Sequence, residues 1–169
     1  MTKISNAKIA ILATDGFEKS ELFEPRKQLL DAGAEITIVS LESGSISEGD
    51  FDALVLPGGQ INPDLLRVET KATDFVKAFF DAGKPIAAIC HAPWLLIEAD
   101  LVQGRKVTGY KSIKTDLINA GARYEDSEVV VDNGLITSRN PGDLDCPAGA
   151  SVRLNRLNKS RMRFLARVL

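Results

Sequence analysis

Short apolar runs alternate along the chain with longer stretches in which apolar residues recur at helical spacing. A short apolar run bounded by turn residues is typical of a strand that is buried on both faces of a parallel sheet. Such runs predict strands over residues 8–13, 35–41, 53–56, 85–89, 106–108, 128–131 and 135–138.

The stretches between these runs predict helices. The clearest has Ala72, Phe75, Val76, Phe79 and Phe80 at i, i+3, i+4, i+7 and i+8, the spacing of one helix face. Helices are expected over residues 18–32, about 72–80, 92–99 and 113–120. Proline inside a helix costs about 3 kcal/mol outside the first turn, so the first of them could instead start near residue 24, after an ordered loop or kinked turn.

The helices end in a shared way, which supports the same division of the chain. Three of them are followed by Asp-Ala-Gly or Asn-Ala-Gly, closing at Gly33, Gly83 and Gly121, and glycine readily takes the left-handed conformation that a helix end needs. The alternation of strands and helices predicts an α/β fold. We expect a doubly wound, mostly parallel sheet with helices on both faces, a flavodoxin-like sandwich, in one domain over residues 1–169.

Composition agrees with one compact domain in the cytoplasm. The 169 residues are 44% hydrophobic and 26% charged, enough to bury a core and remain soluble. The sequence has no apolar run approaching 18 residues and no signal-peptide pattern at its start, so we expect neither a membrane span nor secretion.

Charge is unevenly spread. Of the 21 basic residues, six lie in residues 151–169, which contain no acidic residue. Residues 1–150 therefore hold 15 basic and 23 acidic residues and have a net charge of −8. This acidic body argues against nucleic-acid binding by the fold. The basic tail could contact anionic partners, but a solvated terminal helix is the favoured interpretation.

Candidate chemistry is concentrated at Cys90, which ends a predicted strand directly before a predicted helix. This is the layout of a nucleophile elbow. The turn lifts the sulfur from the sheet, and the helix N-terminus favours the thiolate and could stabilise a neighbouring oxyanion. The alternative is a small buried hydrophobe, and the adjacent His91, the chain's single histidine, favours function.

The role of His91 is open at this stage, since it could approach the sulfur at a sharp turn or only line the pocket. The absence of any other histidine excludes a Cys…His-x-Glu amidotransferase triad and a Ser-His-Asp hydrolase within the chain. One histidine and two distant cysteines form no metal-ligand pattern, and no cofactor motif is present.

Glu18 and Glu21 are candidate carboxylates, because they follow the first strand at the sheet edge where ligand crevices form. Two adjacent parallel strands could bring Glu21 to Cys90, where a carboxylic acid of raised pKa could donate to the thiolate. Spacing alone instead favours two ordinary solvated glutamates.

Four motifs in this order resemble the PfpI family, a branch of the class I glutamine amidotransferase-like superfamily that includes cysteine peptidases, stress proteins and protein deglycases. They are residues 15–21, 53–59, 83–91 and 129–139, and the resemblance covers about residues 7–145. It implies that Cys90 is the nucleophile, that His91 is its neighbour and that Glu21, with Glu18 in the same motif, hydrogen-bonds the nucleophile.

The resemblance also implies the residues of a substrate pocket and a contribution from a neighbouring subunit. Gly58 and Gly59 match the turn whose backbone lies near the substrate carbonyl, and Ala92 replaces the more usual glycine and narrows the pocket. Asp64 matches an acid that reaches histidine from a neighbouring subunit in the protease members, so a homo-oligomer is expected.

Two departures from the family pattern concern larger segments. Only residues 42–52 link the second and third strands, where members usually have a longer excursion that helps form the subunit contact. The pattern also fades after residue 145, so residues 146–169, which include Cys146, form a divergent tail.

Three alternative functions are considered, and each of them depends on Cys90. The leading hypothesis is a stress-response enzyme that attacks carbonyl carbon in a small carbonyl compound or a modified protein, as a deglycase or glyoxalase does. The second is peptide hydrolysis with a triad shared between subunits. The third is a non-catalytic redox sensor, because an exposed low-pKa cysteine oxidises readily.

Overall fold

The computed structural model describes residues 4–41, 46–144, 165–166 and 168–169. Its centre is a six-stranded sheet in the order β2-β1-β3-β4-β8-β7. The strands are β1 Lys8–Leu12, β2 Glu35–Val39, β3 Ala53–Leu56, β4 Ile86–Ile89, β7 Val129–Asp132 and β8 Leu135–Ser138. All neighbours pair in parallel except β7, which pairs antiparallel with β8 at the edge.

Within residues 4–41 and 46–144, five helices pack on the two faces of this sheet. They are α1 Lys19–Asp31, α2 Ile61–Arg67, α3 Thr70–Asp81, α4 Pro93–Glu98 and α5 Lys114–Asn119. Buried residues of α2 to α5 join one hydrophobic cluster, and those of α1 join a second on the opposite face. A separate pair of short parallel strands, β5 Lys106–Val107 and β6 Arg123–Tyr124, completes the fold. The predicted α/β sandwich is confirmed.

The central strands are fully buried because helices cover both of their faces. All four residues of β3 and of β4 are buried, which explains their continuous apolar sequence. The site described below lies at the carboxyl ends of β1, β3 and β4, where parallel strands open a crevice.

The predicted helix ends are confirmed. Gly33, Gly83 and Gly121 have φ of 88°, 65° and 82°. In the first of them, Gly33 N donates to Leu30 O and Ala34 N donates to Leu29 O, and the same pair of bonds recurs at the other two. This is the Schellman arrangement, which satisfies carbonyls that a helix end would otherwise leave free.

The first helix agrees with the helix predicted over residues 18–32, and the alternative start near residue 24 is wrong. It begins at Lys19 rather than near residue 24 and runs through Pro25. Glu18 caps its first turn, and the burial of Leu22 and Leu29 on the sheet outweighs the backbone hydrogen bond that Pro25 cannot donate to Glu21. The helix α2 and the strand β6 were not predicted.

The end of the chain corrects the expectation of a solvated helix. Leu165, Ala166, Val168 and Leu169 are at most 4% exposed and belong to the cluster on the α1 face. Residues 145–164, which hold Cys146 and most of the basic tail, lie outside the described residues. Among the helices that are described, none is long and apolar enough to span a membrane.

Candidate active site

Cys90 stands at a strained turn between β4 and α4. Its φ is 63°, in the left-handed region, which costs about 1–3 kcal/mol for a residue other than glycine. Two backbone hydrogen bonds hold it there: Cys90 N donates to Ser138 O at 3.0 Å, and Cys90 O accepts from Tyr110 N at 2.8 Å. Pro93 opens the following helix, as expected. The predicted elbow is therefore present, with the cysteine 6% exposed.

His91 reaches the sulfur. Its Nδ1 lies 3.1 Å from Cys90 Sγ, which is possible because the turn at Cys90 removes the helical geometry that separates neighbouring residues. On the other side of the ring, Nε2 lies 3.0 Å from Ser112 Oγ. Tyr110 stacks on the ring at 4.8 Å between centroids, and the indole of Trp94 lies 5.3 Å away. Sequence reasoning did not identify Ser112, Tyr110 or Trp94.

Glu21 is fully buried in the first turn of α1, which corrects the interpretation of it as a solvated residue. Its Oε2 accepts from Gly58 N at 2.8 Å, and its Oε1 has no hydrogen-bond partner among the described residues. Burial raises the pKa of Glu21 to about 7, against the opposing effect of the Gly58 hydrogen bond. The strand β3 separates β1 from β4, so loops of three strands, not two, bring Glu21 to Cys90.

Cys90 and Glu21 form a coupled pair. Burial and then the negative charge of Glu21 raise the pKa of Cys90 to about 12, while the N–H groups of Gly59 and His91 act the other way. The sequence predicted a Cys90 thiolate of lowered pKa. The structure shows the opposite: beside an ionised Glu21, Cys90 is a thiol of raised pKa. A proton on Glu21 removes the charge that opposes the thiolate, so the two groups titrate together.

Burial also lowers the pKa of His91. The imidazole is therefore neutral at pH 7, and a neutral imidazole beside a thiol can accept its proton. The arrangement suits a nucleophile that loses its proton as it attacks, rather than one stored as the thiolate.

Glu18 has a different role from Glu21. It is the N-cap of α1, where its Oε2 accepts from Glu21 N at 3.1 Å and from Ser20 Oγ at 2.5 Å. Burial disfavours its charge, but the bonds from Ser20 and Glu21, together with Lys19, leave the pKa of Glu18 below its ordinary value. Glu18 thus holds the turn that presents Glu21.

Gly58 and Gly59 allow the backbone after β3 to approach the site. A Cβ on Gly58 would lie 2.6 Å from Glu21 Oε2 and 2.8 Å from Cys90 Cβ, and Gly59 has φ of 83°. The buried Asn62, which was not predicted, fixes this turn: its Nδ2 donates to Pro57 O at 2.8 Å, and its Oδ1 accepts from Thr14 N at 2.7 Å. One amide therefore ties the ends of β1 and β3 together.

Comparison with known proteins identifies the family of the chain. Residues 7–148 match the DJ-1/PfpI family. The chain belongs to the DJ-1/PfpI family.

Individual relatives cover most of the chain. The candidate cysteine protease YraA of Bacillus subtilis (strain 168) is 44% identical over 165 residues, 87% of this chain and 97% of YraA. Protein/nucleic acid deglycase 2 of Escherichia coli (strain K12) is 41% identical over 167 residues, 87% of this chain and 96% of that protein. The crystal structure of Drosophila melanogaster DJ-1beta superposes with a TM-score of 0.74 at 29% identity, covering 82% and 84% of the two chains. These relatives support a DJ-1/PfpI-family enzyme.

Asp64 and Ala92, which the family resemblance placed at the site, have no side-chain hydrogen bond to Cys90 or His91 among the described residues. Asp64 is exposed on α2, and within the described residues no hydrogen bond or ion pair joins it to His91. Ala92 is fully buried and packs in the cluster on the α3 face. The described ranges contain no group of three His, Cys, Asp or Glu side chains able to hold a metal ion.

Proposed function

We propose that this protein is a cysteine-dependent enzyme that acts on electrophilic carbonyl carbon, as a deglycase or glyoxalase does. The observation that supports it most is the 3.1 Å separation of Cys90 Sγ and His91 Nδ1 beside a buried carboxyl with a pKa of about 7. Cys90 thus has a neutral base on one side, and it is electrostatically coupled to a carboxylic acid that is half protonated at neutral pH.

The addition step uses all three groups. Sγ forms a bond to the aldehyde carbon, the π pair of the carbonyl moves to its oxygen, and the thiol proton passes to His91 Nδ1. Glu21 Oε1, which has no partner among the described residues, can then protonate the new alkoxide. The product is a neutral hemithioacetal, with His91 protonated and Glu21 ionised.

A carbonyl substrate fits these groups because its carbon needs only a nucleophile and its oxygen only an acid. The deglycase name of the Escherichia coli relative supports small carbonyl compounds or carbonyl-modified proteins as the substrate class. A stress-response role follows from that class and from the relative named general stress protein 18.

The experiment measures consumption of methylglyoxal and formation of lactate by the wild type and by Cys90→Ala. Lactate forms when methylglyoxal takes up water while its aldehyde carbon is oxidised and its ketone carbon is reduced, so no external oxidant is needed. Mass spectrometry of the protein quenched during turnover locates the adduct. We expect turnover and an adduct on Cys90, both absent in Cys90→Ala. The matched control is Cys146→Ala, which removes the other cysteine of the chain and should keep both. No turnover by wild type while Cys90 still reacts with a thiol reagent would contradict the proposal.

Peptide hydrolysis is the second candidate, and the position of Asp64 favours it. Asp64 is exposed on α2 beside Ile61, Leu65 and Val68, which are 58%, 42% and 75% exposed. An apolar helix face of this kind suits contact with another subunit, which could carry Asp64 to a neighbouring His91. Casein cleavage that co-elutes with an oligomer and is lost in Asp64→Asn would support it, whereas a strictly monomeric protein would exclude it.

A further inference from the structure

The segment that follows β5 contacts both Cys90 and His91. Tyr110 N holds the carbonyl of Cys90, and the side chain of Tyr110 stacks on the ring of His91. Two residues later, in the short 3-10 helix Lys111–Ile113, Ser112 Oγ lies 3.0 Å from His91 Nε2. Both ring nitrogens of His91 therefore have a partner, Cys90 on one side and Ser112 on the other.

We propose that Ser112 is a positioning residue that fixes the tautomer and orientation of His91. With Nε2–H donating to Ser112 Oγ, the proton of the neutral ring is on Nε2 and Nδ1 keeps its lone pair toward the thiol. This inference rests on the proposed function, since the tautomer matters where His91 Nδ1 accepts the proton of Cys90.

A serine suits this position because it holds the ring without charging it. A carboxylate at Nε2 would favour the imidazolium and oppose the effect of burial on His91, whereas a neutral hydroxyl leaves the ring as a base. Ser112 is exposed, so its own hydroxyl proton can be donated to water while its oxygen accepts from the ring.

The aromatic rings beside His91 do not determine its tautomer, so the hydrogen bond to Ser112 does. Stacking on Tyr110 and contact with Trp94 limit how far the imidazole tilts, but neither distinguishes the two ring nitrogens. The titratable groups around His91 are Cys90, Tyr110 and, across the thiol, Glu21, with Asp116 further out, where it accepts from Trp94 Nε1 at 2.9 Å. Of these contacts, only Cys90 and Ser112 act on a ring nitrogen directly.

The test uses the fact that His91 is the chain's single histidine. After ¹⁵N-histidine labelling, long-range ¹H–¹⁵N spectra contain one ring, and the nitrogen shifts report which nitrogen carries the proton. In the wild type at pH 7 we expect a protonated Nε2 and an unprotonated Nδ1. Ser112→Ala should shift the signals toward a mixture of tautomers, and Ser112→Thr, which keeps a hydroxyl, should restore them.

A second measurement follows the same groups without any substrate. The rate of Cys90 alkylation by iodoacetamide at pH 7 should fall about three- to tenfold in Ser112→Ala, the range expected for one neutral hydrogen bond, and recover in Ser112→Thr. Thr115→Ala removes an exposed hydroxyl nearby on α5 and should change neither readout. With methylglyoxal, kcat should fall in Ser112→Ala while KM stays near the wild-type value.

The outcomes separate this inference from the proposed function. Altered spectra and alkylation in Ser112→Ala, in a protein that consumes no methylglyoxal, would support Ser112 and contradict the carbonyl chemistry. Unchanged spectra and rates in Ser112→Ala would overturn the inference even if methylglyoxal is consumed. It would also be overturned if Asp64→Asn, and not Ser112→Ala, shifted the Nε2 signal of the intact protein.

Discussion

The carboxyl of Glu21 keeps its proton to near-neutral pH because burial penalises its charge more than the Gly58 N–H stabilises it. The same charge, when present, holds Cys90 as a thiol. One proton therefore controls the state of two groups, and Gly58, which has no room for a side chain, keeps them close.

Glu21 should make the stability of the protein depend on pH. Its pKa is higher in the folded chain than in the unfolded one, so the folded state binds more protons and loses stability as pH rises from about 4.5 to 7. A rise in pKa from 4.5 to about 7 corresponds to a loss of roughly 3 kcal/mol. Urea denaturation at pH 4.5, 6 and 8 should show this loss in the wild type and a flatter profile in Glu21→Gln. Parallel profiles for the two proteins would contradict it.

Gly59 should be intolerant of any side chain. A Cβ there would lie 2.5 Å from Gly16 O and 2.7 Å from Glu18 N, both backbone atoms, at φ of 83°. Gly83→Ala is the matched control, because Gly83 also has positive φ but nothing lies within 4 Å of its added Cβ. We expect Gly83→Ala to cost about 1–2 kcal/mol in free energy of unfolding. Gly59→Ala should cost clearly more and reduce methylglyoxal turnover, and equal losses would contradict the close contact.

At the scale of elements, α2 supplies the amide that joins β1 to β3. Asn62→Ala removes the partners of Thr14 N and Pro57 O, and an unsatisfied buried group costs about 1–3 kcal/mol. We expect Asn62→Ala to lower the free energy of unfolding by at least that much and to slow Cys90 alkylation, because the Gly58–Gly59 turn shifts. Asn119→Ala, on an exposed residue of α5, is the control and should change neither.

Local signals explain which elements could be predicted. The buried strands β3 and β4 and the glycine helix ends depend on residues close in sequence, so the apolar runs and Ala-Gly pairs located them. The pattern failed for α2, whose apolar Ile61 and Leu65 face outward, as does Val68 at its C-cap, while Asn62 and Pro63 are buried. Because a polar residue is buried and apolar residues are exposed in α2, hydrophobic periodicity could not locate this helix.

The site divides in the same way. The sequence predicted Cys90 and its elbow because the strand, cysteine, histidine and proline are contiguous. Ser112 lies 21 residues from its partner His91, and Asn62 lies 48 residues from Thr14, so only the assembled sheet brings them together. Charge counting misled at the C-terminus for a related reason: it registers the basic residues and not the apolar positions between them.

At the scale of the whole molecule, the last residues of the chain join the hydrophobic cluster that contains the buried residues of α1. Leu165, Val168 and Leu169 are at most 2% exposed and share a cluster with Leu22 and Leu29 of α1. The helix that presents Glu21 therefore shares its hydrophobic cluster with the end of the chain. Its stability should depend on residues far from the site in sequence.

Leu165→Ala tests this packing. Burial at 2% exposure predicts a loss of about 2–5 kcal/mol in free energy of unfolding, the range for a leucine removed from a core. Leu30→Ala, on α1 but 40% exposed, is the matched control and should lose less than about 1 kcal/mol. Urea denaturation followed by the fluorescence of Trp94, the single tryptophan, measures both. If the terminus did not pack in this cluster, the two variants would lose similar stability, so the difference between them measures the burial of Leu165.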